Sequence, residues 1–142
     1  MPRKEYNYEE AHSFIRKTLF SIQQIVCMIS QKITSDGGTG QHSELRSLSV
    51  FETQLQQVFE AHEEIEGIVS PDISDRPPES EVYGRFGLSV LYLKGYFELL
   101  AMVEESNSSI DCSAVSGLAE ELVESLIDEF ESLPAMKQLR AA

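Results

Sequence analysis

The chain has 142 residues, 42% of them hydrophobic and 25% charged, enough to bury the core of one domain spanning 1–142 and too polar for a membrane bundle. With 24 Asp and Glu against 11 Lys and Arg, the formal net charge is −13, opposite in sign to what phosphate neutralisation requires, so no nucleic-acid partner is expected. No charged-then-apolar leader and no run near the ~18 apolar residues of a membrane span is visible, so no transmembrane anchor or membrane insertion is expected.

Asn7 with Glu10 three residues later forms a capping-box pattern, followed by Ala11, Ile15, Leu19, Ile22, Val26, Ile29 and Ile33 at spacings of three and four. One amphipathic helix is predicted, stopped by the glycines of residues 34–41. A second begins near Ser43 and carries Leu45, Leu48, Phe51, Leu55, Val58, Phe59, His62 and Ile65 on one face. Residues 70–80, with Pro71, Pro77 and Pro78, read as a connection.

The third helix, Val82 to Val103, is apolar on all sides, with Phe86, Leu88, Val90, Leu91, Leu93, Phe97, Leu99 and Leu100 pointing in every direction. Such a helix is expected at the centre of the fold. Gly84 and Gly95 lie within about 20° of each other on its wheel and Gly87 about 60° away, so close approach of another backbone is expected there. Arg85, in its opening turn, is the only charged residue between Val82 and Leu93. A polar stretch over 104–111 leads to a fourth helix marked by Val115, Leu118, Ala119, Leu122, Val123, Leu126, Ile127, Phe130 and Leu133, closed by Pro134. The expected class is all-α, a helical bundle around a central hydrophobic helix.

Chemistry is sparse. Carboxylate-bridged metal bundles need two Glu-x-x-His motifs. Glu9-x-x-His12 is a single copy, and Phe59 stands where a copy ending at His62 would need Glu. Neither a nucleophile elbow nor a phosphate-cradling glycine loop is present. No metal, cofactor or catalytic residue is expected, and the chain is not read as an enzyme. Cys27 and Cys112 are far apart and form no C-x-x-C pair, which favours a reduced, intracellular setting.

Three stretches resemble the Bcl (B-cell lymphoma two) family of apoptosis regulators. Tyr83-Gly84-Arg85-Phe86, running through Leu91-Tyr92-Leu93-Lys94-Gly95 to Val103-Glu104-Glu105-Ser106, is similar to the first homology motif. Leu45-Arg46, then Phe51-Glu52, Leu55, Val58 and Phe59, is similar to the third motif and the helix after it. Val115-Ser116-Gly117-Leu118-Ala119 through Leu126-Ile127-Asp128 to Glu131 and Pro134 resembles the helix before the second motif. Val82 and Tyr83 replace that family's Asn and Trp, and Ser49 and Val50 its Gly and Asp. With no tryptophan-bearing second motif and no anchor, the chain is most similar to trimmed viral homologues.

The resemblance implies an anti-apoptotic protein, in the cytoplasm of a host cell if viral. It would hold the amphipathic death-motif helix of pro-apoptotic relatives in a hydrophobic groove. Phe51, Leu55, Val58, Phe59 and His62 would line one wall and Tyr83, Phe86 and Leu88 the other. Arg85 would pair with a ligand aspartate, and Gly84 would let the ligand backbone come close. The sequence leaves open whether the groove is free, self-occupied or covered by a second copy in a homodimer. The alternative from charge alone is an acidic helical decoy or antidote that blocks a basic partner.

Overall fold

A computed structural model describes residues 8–35, 42–69, 79–104, 106 and 109–133, the side chains of residues 8, 64–69 and 79–83 not among them. It is all-helical: α1 Tyr8–Ser35, α2 His42–Ser47, a 3-10 turn Leu48–Val50, α3 Phe51–Val69, α4 Glu79–Leu100 and α5 Cys112–Glu131. The expected first stripe is buried as read, with Ala11, Ile15, Leu19, Ile22, Val26 and Ile33 inside and Ile29 half-buried against them. The Asn7 cap lies outside the described residues.

The second helix departs from expectation because it is broken. The Ser47 hydroxyl donates back to the Glu44 carbonyl at 2.6 Å, and the chain tightens through Leu48–Val50 before α3 begins. Ser47, Ser49 and Val50 are weak helix formers, so a local turn is inexpensive there. The break lets α2 lie across one end of the bundle, burying Leu45 while Arg46 donates to the carbonyl of Val103 at 2.8 Å. That guanidinium satisfies a carbonyl just past the C-terminus of α4, where helices leave acceptors unmade. At the fourth helix, Asp111 caps α5 by accepting from the Ala114 amide at 3.1 Å.

The four long helices alternate in direction. His12 meets Phe130 at one end of the α1/α5 pair, while Thr34 meets Ser113 and Ser30 accepts from Ser116 at the other. Phe51 lies against Phe97 and His62 against Phe86, so α3 and α4 are antiparallel too. Phe86 with Phe130, and Tyr96 with Val115, set α4 antiparallel to α5. With α1 packed on α3 and α5, and α4 packed on α3 and more thinly on α5, the result is an up-down-up-down four-helix bundle. In this ring α1 and α4 sit diagonally, and α2 with its 3-10 turn closes one end.

One expectation is overturned by this arrangement: α4 is a wall of the bundle and is not enclosed. Phe86, Val90, Leu93, Phe97 and Leu100 are buried, but Leu88, Tyr92 and Leu99 are 50%, 72% and 64% exposed. Four helices of similar length pack about a shared axis with one stripe each inward, which leaves no central position for any of them. The glycine expectation changes with it. Ideal Cβ atoms on Gly84 and Gly95 meet nothing within 4 Å, and only Gly87 faces a close neighbour, 3.3 Å from Cδ2 of His62.

Candidate functional site

The residues expected to line a groove are mostly core. Phe51, Leu55, Val58, His62 and Phe86 are each at most 3% exposed, and His62 and Phe51 meet α4 across the α3/α4 seam. The His62 ring stands edge-on to Phe86 at 4.9 Å between centroids, and the Phe51 and Phe97 rings lie 5.7 Å apart. Phe59 is half-buried against the same core. Their burial has a simple cause: the i, i+3, i+4 stripe that lines a groove is also the stripe that packs one bundle helix on the next. Leu88 and Arg85 are exposed and point away from that seam, Gly84 is half-buried in open surroundings, and the Tyr83 side chain lies outside the described ones. Among the described residues no carboxylate is paired with Arg85.

At the end of the bundle where α1 begins, the aromatic residues form one continuous layer. His12 lies 5.4 Å from Phe130, Phe130 lies 5.5 Å from Phe86, and Phe86 lies 4.9 Å from His62. One residue from each long helix takes part. Burial, and then the nearby His62, push the His12 pKa down from 6.5 to about 4, so its imidazole is neutral near neutrality. This layer is structural, and among the described residues no three His, Cys, Asp or Glu side chains converge to hold a metal ion.

The open feature is on the other side of α4. A groove of about 270 Å³ runs between α4 and α5, lined by Ser89, Tyr92, Leu93 and Tyr96 from the former and Leu122, Ser125, Leu126 and Glu129 from the latter. It exists because the α4/α5 seam is the thinnest of the four. The two helices are joined across it by the Tyr96 hydroxyl, which donates to the Val115 carbonyl at 2.7 Å; burial raises the pKa of that phenol. The inner wall is apolar, whereas the polar groups are two serines, two tyrosines and one carboxylate.

Beyond the groove the outer face of α4 continues the apolar surface. At 100° per residue Gly84, Leu88, Leu91, Tyr92, Gly95 and Leu99 share the side turned from the core, with Leu88, Tyr92 and Leu99 exposed and the others half-buried. Arg85 borders that side near Tyr92 and exposed Glu98 borders it near Leu91, whereas Lys94 is turned to α3. The Lys94 ammonium donates to Gln56 at 3.0 Å and lies 3.7 Å from Glu98. None of Ser89, Tyr96, Leu122, Ser125, Leu126 or Glu129 was singled out as a site from the sequence. The available signal was the Tyr92/Tyr96 pair, one turn apart on an apolar helix, because tyrosine suits surfaces that are apolar on one side and wet on the other.

Cys27 is half-buried and Cys112 buried, both as free thiols; burial, and then Glu120 and Glu124, raise the pKa of Cys27, which disfavours the reactive thiolate. Among the described residues no helix is long and apolar enough to cross a membrane. Compared with known proteins, the chain matches no family profile, no curated protein and no solved structure.

Proposed function

We propose that this chain is a non-enzymatic binding protein that takes an amphipathic helix of a partner protein along the α4/α5 groove. The observation that carries the reading is the outer side of α4, where Leu88, Tyr92 and Leu99 face solvent beside an apolar groove. A helix side facing water is ordinarily charged, and a contiguous exposed apolar surface marks an interaction site. A ligand helix would lay anchors at i, i+3, i+4 and i+7 into the seam and complete the enclosure that the α4 sequence calls for. A net charge of −13 opposes a second copy of the chain as the occupant.

The resemblance noted in the sequence supplies the ligand class. The helix taken would be the death motif of a pro-apoptotic Bcl-family protein, and holding it would inhibit apoptosis. Arg85 is exposed one turn before Ser89, at the end of the seam where Phe86 meets Phe130, a position from which it can pair with a ligand carboxylate. The second reading, an acidic decoy for a basic partner, is favoured by the net charge alone.

Titration of fluorescent pro-apoptotic helix peptides against wild type, Tyr92→Glu and Arg85→Glu tests both. The groove reading expects micromolar or tighter binding, weakened more than tenfold by Tyr92→Glu and roughly tenfold by Arg85→Glu, the scale of one charge-assisted hydrogen bond. If no peptide in the panel binds, the apoptotic ligand is wrong. Salt-sensitive capture of a basic protein that is indifferent to Tyr92→Glu would support the decoy instead.

A further inference from the structure

Resting on the groove reading, we infer that the partner helix carries lysines or arginines along the edge that faces α5. The groove has two unlike edges. On the α4 side no charged residue follows Arg85 until Lys94, which is turned to Gln56 and Glu98 on the far flank. On the α5 side Glu129 lines the groove itself, and Glu121 and Asp128, one turn before and one turn after the groove-lining Ser125 and within about 60° of it on the helix, are exposed.

A helix seated in the seam therefore meets, beyond Arg85, an uncharged flank of aliphatic, serine and tyrosine side chains on one side and carboxylates on the other. Long basic side chains suit that second flank, since their methylene stems lie along apolar surface while the charged heads reach the rim. Acidic residues on the same flank would be repelled by Glu121, Asp128 and Glu129 together, which makes the rim a device of selection as well as attraction. The occupant is thus an amphipathic helix with an apolar stripe and one basic edge.

Three synthetic helical peptides with one shared apolar stripe, edged with Lys, Gln or Glu, distinguish this inference from the reading beneath it. Their affinities are measured by fluorescence anisotropy at low and high salt for wild type, Asp128→Lys and Glu63→Lys. The last is a control on the exposed side of α3, diagonal to α5, and changes the net charge by the same amount. We expect the Lys-edged peptide to bind most tightly at low salt, with the advantage shrinking as salt rises. Asp128→Lys should cost it roughly three- to tenfold, and Glu63→Lys less than twofold. Equal affinity for the three edges, or equal loss in the two variants, overturns the inference and leaves the groove standing. Failure of all three peptides to bind overturns the groove reading and this inference together.

Discussion

The imidazole of His62 stands edge-on to the ring of Phe86, their centroids 4.9 Å apart and their planes at 69°. These two residues were expected on opposite walls of an open groove, and instead they close the α3/α4 seam. Phe86 is fully buried and also touches Phe130. Truncation to Ala should therefore cost about 3–5 kcal/mol, the range for a large aromatic removed from a core. Denaturant unfolding would show it as a lowered midpoint with an unchanged slope. An effect below about 1 kcal/mol would mean that Phe86 lines a surface after all.

His12 makes the same layer sensitive to acid. Its pKa is lowered from 6.5 to about 4 in the folded chain, so below 6.5 the unfolded state takes up a proton that the folded state refuses. This contribution to stability is complete above 6.5, falls as the pH drops toward 4, and is then exhausted, a total of about 3 kcal/mol for a shift of this size. Equilibrium unfolding at several pH values between 4 and 7 should show that decline in wild type and a much flatter profile in His12→Leu. Parallel profiles for the two proteins would remove His12 as the cause.

The glycines of α4 are not equivalent. Gly84 and Gly95 have open space where a Cβ would stand, whereas at Gly87 a Cβ would lie 3.3 Å from the buried His62 ring. Gly84→Ala and Gly95→Ala should each stabilise by about 0.5–1 kcal/mol through helix propensity. Gly87→Ala should lose that gain or destabilise, because His62 is packed against Phe86 and has little room to yield. Midpoints from chemical denaturation of the three single variants provide the check.

Tyr96 ties the open seam. Its hydroxyl reaches the Val115 carbonyl at 2.7 Å from a half-buried position. Tyr96→Phe keeps the ring packing and removes one hydrogen bond, so a loss of about 0.5–1.5 kcal/mol is expected. Hydrogen exchange should localise the change to amides of the first turns of α5, and protection lost uniformly across the chain would contradict a local tie.

The first and last helices were legible in the sequence because each presents one apolar stripe, and most residues read on them are buried, with Ile29, Val115 and Leu122 half-buried and Leu118, expected on the last stripe, 45% exposed. The break after Ser47 was not legible, since Leu45, Leu48, Phe51 and Leu55 keep a helical spacing straight through it. The position of α4 was misread for a physical reason. An all-round apolar helix is equally the mark of a central helix and of a wall helix with a second apolar face, and Leu88, Tyr92 and Leu99 are exposed. Arg85 and Leu88 were singled out from the sequence and do lie on the surface. The groove itself depends on how thinly α5 packs on α4, a property of two helices together that no single stripe records.

The position of a bound helix is the most direct measure of the central claim. Backbone amide shifts of the isotopically labelled protein, followed while an amphipathic pro-apoptotic helix peptide is added, should move at Ser89, Tyr92, Tyr96, Leu122 and Ser125. Glu52, Thr53 and Gln56, on the α3 side, should stay in place. Shifts concentrated on α3, with the α4/α5 residues unmoved, would contradict the account.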